Sequence, residues 1–280
     1  MFDRIGRSIE LAKASFRVLR ADKELLIFPL VSFIALVVVS ISFLASLAIF
    51  GVITDAQRGT VNIASYVIGF AFYVVTYMVI FFFNTALVGA AMIRLDGGDP
   101  TLGDGFRIAF SRLPQIIVYA LIAATVGMVL RAISERAGII GQIVAGIIGF
   151  AWGVATFLVV PVLVVEKVGP IDAIKRSAGL LRQTWGEQLV GNFGIGLIFG
   201  LLSFVVIVVG VLLLIVLIQV SAPLALLAVV AMIVLVGLLA LIGSALSGIF
   251  TASLYRYATK GDAGQMFRPE TLAGAFRAKG

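Results

Sequence analysis

Residues 188–255 read QLVGNFGIGLIFGLLSFVVIVVGVLLLIVLIQVSAPLALLAVVAMIVLVGLLALIGSALSGIFTASLY, without one Asp, Glu, Lys or Arg. The stretch is far longer than the roughly 20 apolar residues that cross a bilayer as a helix. Its one turn-like break is Gln219-Val220-Ser221-Ala222-Pro223, where proline disfavours a continuous helix. It therefore reads as two spans, about 190–218 and about 224–254. Strands are not expected, because the alternating polar residues of a barrel lumen are missing.

Four more stretches are equally free of charge: 25–54, 59–93, 113–130 and 137–165. They supply a first span at about 26–50 with Pro29 near one end and a second at about 63–93. A third, at about 114–132, has Arg131 placed to snorkel outward, and a fourth, at about 140–165, contains Pro161. The first apolar run is too long for the 7–15-residue core of a signal peptide and is expected to be retained. Composition agrees. The 280 residues are 61% hydrophobic and 12% charged, against about half and about a quarter in a soluble domain. Mean hydropathy is +1.18. The expected fold class is an all-α integral membrane protein with six transmembrane helices. It forms one domain over 1–258, followed by a cytoplasmic tail at 259–280.

Six spans place both termini on one side. With that alternation, 18 of the 21 Lys and Arg residues fall on one side; only Arg58, Arg131 and Arg136 fall on the other. The bias of Lys and Arg towards the cytoplasmic side then puts both termini in the cytoplasm of a cell (inner) membrane protein. Tyr255 and Tyr257 suit the aromatic belt at that interface. The net charge of +7 is absorbed by anionic headgroups, and no nucleic-acid motif accompanies it, so membrane lipid rather than nucleic acid is the expected partner.

Chemistry has little to build on. There is no Cys and no His, hence no thiolate and no imidazole base or ligand. No ionisable group shares the spans with their serines to activate a nucleophile. Glu166, Asp172 and Glu187 at the basic side read as caps and ion-pair partners. The loop Gly97-Gly98-Asp99-Pro100-Thr101-Leu102-Gly103-Asp104-Gly105 lacks the Lys-Ser/Thr of a phosphate loop. Asp96, Asp99 and Asp104 do not follow the spacing of an EF-hand, and turn formation and capping explain them better. The chain is expected not to be an enzyme and to carry no cofactor and no metal.

The segments between spans repeat. Arg7-Ser8-x-x-Leu11-x-Lys13-x-Ser15-Phe16 and Arg176-Ser177-x-x-Leu180-x-Arg182-x-Thr184-Trp185 share one spacing, each just before a span. Ile108, Phe110 and Arg112 form a weaker third copy, with Pro114 in place of the hydroxyl residue. Phe2, Ile5, Ile9, Ala12, Phe16 and Leu19 recur at helical spacing, with Arg4, Arg7, Lys13, Arg17 and Arg20 mostly off that stripe. Ile174, Ala178, Leu181 and Trp185 recur likewise. Thr101-x-x-Asp104 resembles a capping box, and Pro170 suits a first helical turn. A basic amphipathic helix of this kind lies in the headgroup plane. The spans therefore read as three pseudo-repeated units, 1–93, 94–165 and 166–258, each an interfacial helix followed by a helical hairpin. The candidate headgroup ligands are Arg7, Lys13, Arg17, Arg112, Lys175, Arg176 and Arg182.

Polar groups inside the spans are few. Ser32, Asn84 and Asn192 lie towards the basic side and either pack helices together or form a small polar site facing the inner leaflet. Pro161 frees the carbonyl of Phe157 and is the candidate hinge. Gly149/Gly153, Gly196/Gly200, Ser244/Gly248 and Gly243/Ser247 allow close helix approach, within the bundle or against a protein partner or second copy.

Phe2-Asp3-Arg4-Ile5-x-Arg7-Ser8, the run Val159-Val160-Pro161-Val162-Leu163-Val164-Val165-Glu166 with Gly169-Pro170-Ile171, Thr184-Trp185-Gly186-Glu187-Gln188, and Leu254-Tyr255-Arg256-Tyr257-Ala258-Thr259 together resemble a family of uncharacterised prokaryotic six-span membrane proteins, a domain of unknown function. The resemblance implies topology and no activity. More remotely, the Arg-Ser helix feeding a span is similar to the membrane domain of glycerophosphodiester phosphodiesterases, whose catalytic barrel has no counterpart here. Two functions are expected from these readings: a non-catalytic protein organising lipids or partners at the cytoplasmic face, or a transporter or permease for a neutral or lipid-like substrate.

Overall fold

In hydrocarbon a backbone satisfies itself only as a helix or a closed barrel, and these continuous apolar runs lack the alternation of a barrel. A computed structural model describes residues 2–49, 63–136, 138–185 and 194–262, with Gly264, Phe267 and Leu272. Among these residues there is no strand, and six helical segments are long and apolar enough to cross a membrane. The helices are α1 (Phe2–Ala21), α2 (Ile27–Ile49), α3 (Ile63–Leu95), α4 (Leu102–Ser111), α5 (Leu113–Arg136), α6 (Gly138–Thr156), α7 (Val159–Glu166), α8 (Pro170–Trp185), α9 (Gly194–Val220) and α10 (Ala222–Lys260). A 3₁₀ turn over Lys23–Leu26 joins α1 to α2. The spans are α2, α3, α5, α6 with α7, α9 and α10. The break between α9 and α10 falls at Ser221, with Pro223 in the first turn of α10.

The chain forms two compact units. The first is 1–26, 91–99 and 185–280, and the second is 27–90 and 100–184. In the first, α9 and α10 pair along their length and α1 packs on both. Glycines set the α9/α10 approach: a Cβ on Gly243 would meet the Phe199 ring at 2.9 Å, and one on Gly210 would meet Met232 Sδ at 2.5 Å. Gly243, read from sequence as a packing position, works inside this unit. Gly153 and Gly200 face open space.

Two spans exceed even the roughly 40–45 Å of bilayer that includes both headgroup layers. Helix α3 has 33 residues and α10 has 39, about 50 and 58 Å at 1.5 Å per residue, against about 30 Å of hydrocarbon. Burial gathers at their basic ends. Ala86, Leu87, Val88, Ala90 and Ala91 are buried near the end of α3, and Ala245 to Tyr255 supply most of the buried face of α10. The opposite halves of the spans, such as Phe33 to Leu44 and Leu201 to Leu238, expose large aliphatic side chains, as lipid-facing surface does.

In the second unit, α4 is tied into this packing. Thr101 and Asp104 form the expected capping box. Buried Gly105 lets α4 sit against the Phe28 ring and the Ala86 carbonyl. Phe106 meets Phe28 at 5.4 Å, and Phe110 meets Phe82 at 5.0 Å.

Candidate functional site

Helix α1 is built with two faces. Leu11, Ala14, Ser15, Val18 and Leu19 are buried, a repeat of three and four that seats the helix on α9 and α10. On the other side, Ile9, Lys13, Phe16 and Arg20 follow one another at the same spacing and are all exposed; Ile9 is 40% and Phe16 50% accessible. This corrects the reading from sequence in two respects. Leu19 belongs to the buried face, and Lys13 and Arg20 share a face with the apolar stripe. The reason is the tertiary partner: α1 needs one apolar stripe for the bundle and a second for its outer side. Arg17 is exposed beside that face. The side chain of Arg7 lies outside the described residues.

Helix α8 repeats part of this design. Leu180, the counterpart of Leu11, is buried to the same degree, 3% exposed, and Arg182, like Lys13, is exposed. Ala173, Ser177, Leu180 and Leu181 make its buried face. Lys175 is exposed and lies 3.9 Å from Asp172. Ile171 stands out at the start of the helix.

The fourth span is broken where Pro161 demands it. Proline has no N–H to give to the carbonyl four residues back, and its ring crowds that turn. Helix α6 ends at Thr156, and α7 starts at Val159. Arg112 and helix α8 hold α7 in place at three points. The Ser177 hydroxyl accepts from the Leu158 N–H at 2.9 Å, Arg112 Nη2 donates to the Val164 carbonyl at 3.1 Å, and Arg176 Nε donates to Glu166 at 3.0 Å. Arg112 and Arg176, two of the candidate headgroup ligands, thus spend part of their donor capacity inside the protein. Ser177 carries a role that the repeat alone did not reveal.

A charged cluster closes the basic end of the first unit. Arg256 near the end of α10 bonds Asp96 and reaches Asp262 at 2.6 Å; Lys260 lies 3.8 Å from Asp96. Arg94 Nη1 donates to Asp99 at 2.9 Å and to the Gly98 carbonyl at 3.3 Å. A Cβ on Gly264 would meet Leu95 at 3.1 Å, so Gly264 lies on the end of α3. Asp22 is 7% exposed and accepts from the Glu24 N–H, while its Oδ2 has no partner. Burial raises its carboxyl above the ordinary range, against the lowering pull of Arg94. The three acids weighed as a cation site are thus distributed among Arg256, Arg94 and the Thr101 cap.

Ser32 and Asn84 are half-buried; Asn192 lies outside the described residues. Next to Asn84, Thr85 is fully buried with an unpartnered hydroxyl, as are single polar atoms of Arg112 and Gln115. Sequence reading passed over Thr85 and Gln115 because neither type is rare near a span end. Between α5 and α6 runs a groove of about 470 Å³, lined by Thr125, Val129, Leu130, Ile148 and Trp152 and almost wholly apolar.

Residues 63–266 match the model of a family of unknown function, DUF6159. The chain belongs to that family. The matched region runs from α3 to just past α10, so α1 and α2 lie outside it. No curated protein and no solved structure matches the chain. This member of DUF6159 thus combines six candidate spans with basic helices between and before them, and the family assigns no chemistry to either.

Proposed function

We propose that this member of DUF6159 is a non-catalytic multi-pass protein of the cell (inner) membrane, with both termini cytoplasmic, that gathers anionic lipids at the cytoplasmic face. The observation that carries this reading is the outer face of α1, where Ile9 and Phe16 alternate with Lys13 and Arg20, all exposed. In water this face would leave two large apolar side chains uncovered. At a headgroup plane it is matched, because the apolar groups enter the acyl boundary and the basic heads stay among phosphates. Each Lys or Arg near an anionic surface contributes about 1 kcal/mol. The exposed Phe110, next to exposed Arg107 on α4, supports the same use of a second helix. The partial match of α8 to α1 supports the reading of the spans as pseudo-repeated units.

The test is the lipid that travels with the protein. The full chain, with Lys13→Glu and Arg20→Glu together, is reconstituted in bilayers of mixed zwitterionic and anionic lipid. The enrichment of anionic lipid around it should fall at least about tenfold relative to the parent, from the loss of two such contributions and their replacement by repulsion. Unchanged enrichment would sink the reading.

One observation favours a second reading. The apolar groove between α5 and α6 suits an acyl chain or another lipid-like substrate and offers nothing to an ion. Saturable movement of a lipid between leaflets, lost on filling the groove with Ala151→Phe, would support transport.

A further inference from the structure

The groove between α5 and α6 ends near a cation. Along α5 it is lined by Thr125, Val129 and Ile133, which follow one another at intervals of four. Arg136 comes three residues after Ile133, so it stands on the same stripe of the helix, one turn beyond the groove. The wall on α6 is Ala151, Trp152 and Ala155, and the two small alanine side chains leave the space open. From Thr125 to Ile133 the groove runs about 12 Å at 1.5 Å per residue, close to the roughly 15 Å that is half the hydrocarbon thickness of a bilayer. Arg136 lies about 4.5 Å further along the axis.

The two arginines at this end of α5 have different duties. Arg131 is committed to protein: its Nε donates to Glu135 at 2.7 Å and its Nη1 to the Tyr73 hydroxyl at 3.1 Å. Arg136 is exposed, and its side chain makes no ion pair or hydrogen bond among the described residues. Beside it, Ile139 and Ile140 at the start of α6 are 76% and 75% exposed. Isoleucines so bare belong in the acyl boundary, which sets Arg136 at the depth of the phosphates. The groove offers almost no polar surface, and the Thr125 hydroxyl is spent on the Leu121 carbonyl at 2.8 Å. A ring system such as a sterol would fill the groove and leave Arg136 unused. A soluble anion would take Arg136 and leave the groove empty. A phospholipid uses both, because a guanidinium gives two parallel N–H bonds to phosphate oxygens while the chain lies in the groove.

We propose that the α5/α6 groove and Arg136 form a binding site for one phospholipid of the extracytoplasmic leaflet, the side to which the proposed topology assigns Arg136. One acyl chain lies along Val129, Ile133 and Trp152, and the phosphate accepts from the Arg136 guanidinium. The site deepens the second reading of the groove and rests on it, naming the lipid class and the residue that selects it. It does not depend on lipid gathering by α1.

Quenching of Trp152 fluorescence by brominated acyl chains tests it. The chain has two tryptophans, and Trp185→Phe leaves Trp152 as the sole reporter. The full chain in detergent is titrated with dibrominated phosphatidylcholine or with the dibrominated diacylglycerol of the same chains. The choline lipid has no net charge, so general attraction to a basic protein adds nothing. It should quench Trp152 at about one-tenth of the mole fraction that the diacylglycerol needs, as hydrogen bonds from one guanidinium to phosphate would give. Arg136→Gln should remove that advantage and leave the diacylglycerol curve in place. No described side chain is bonded to that of Arg136, so the melting temperature should hold, which separates lost binding from lost folding. Ala151→Phe should weaken quenching by both lipids. Equal curves for the two lipids in the parent, an advantage that survives Arg136→Gln, or quenching indifferent to Ala151→Phe overturns the proposal. Loss of quenching on adding glycerophosphocholine at the concentration of the lipid overturns the assignment to a lipid. Quenching reads occupancy and not movement, so a lipid held here without crossing between leaflets ends the transport reading and leaves the site standing.

Discussion

The Ser177 hydroxyl accepts the backbone N–H of Leu158 at 2.9 Å, with both residues fully buried. Phe157 N–H has turned to the Val154 carbonyl at 3.2 Å, so Leu158 has lost its helical register and needs this acceptor from α8. The bond ties α8 to the break in the fourth span.

Ser177→Ala removes that acceptor and strands a buried N–H. The expected loss is about 1–3 kcal/mol of stability. Thermal unfolding of the detergent-solubilised chain measures it, and an unaltered midpoint would show that the break does not depend on α8.

Two glycines of α4 should respond in opposite directions. At Gly105 a Cβ meets the Phe28 ring and lies 2.9 Å from the Ala86 carbonyl oxygen, so Gly105→Ala should cost about 1–3 kcal/mol. At Gly103 the nearest atom is Thr101 Oγ1 at 3.6 Å, so Gly103→Ala should stabilise by up to about 1 kcal/mol through helix propensity. Similar shifts for both would contradict the close approach of α4 to α2 and α3.

The spans were legible because lipid imposes one rule, charge exclusion over about 20 residues, and the chain obeys it in every apolar stretch. Pro161 and Pro223 fell where the helices break or begin. What stayed hidden depends on neighbours far away in sequence. The face of α1 that is buried is chosen by α9 and α10, and both candidate stripes are apolar, so periodicity alone misplaced Leu19. Arg112 and Arg176 look like any interfacial basic residue until Val164 and Glu166 are beside them.

Two carboxyls should give stability opposite dependences on pH. Burial raises the Asp22 carboxyl above its unfolded value of about 3.9, so its penalty grows as pH rises through the folded value and is complete above it. Asp22→Asn keeps an acceptor for the Glu24 N–H and cannot ionise. It should melt above the parent at pH 7 and level with it near pH 4. Asp104 is held below the ordinary range by hydrogen bonds from the Thr101 backbone N–H and side chain. Its contribution is present above about 3.9 and is lost as pH falls through its lowered folded value. Asp104→Ala should therefore destabilise at pH 7 and have little effect near pH 2. A reversal of either sign would contradict the assigned cause.

Arg256 holds Asp96 and Asp262 from a side chain only 13% exposed. Arg256→Gln should loosen the segment after Lys260 from the end of α3. Limited proteolysis should then cut after Lys260 several times faster than in the parent. Unchanged cleavage would place the anchoring of the tail elsewhere, in the buried Phe267 and Leu272.

Lipid gathering by this protein requires that the outer face of α1 lie in the membrane. The chain has no cysteine, so single cysteines at 9, 10, 16 and 17 can each carry a spin label in the full protein in bilayers. Power saturation with oxygen and with a water-soluble nickel chelate then reports depth. Labels replacing Ile9 and Phe16 should be oxygen-accessible and shielded from nickel, while those replacing Glu10 and Arg17 should meet nickel. Equal nickel access at all four positions would mean that α1 stands in water, and would contradict the headgroup-plane reading.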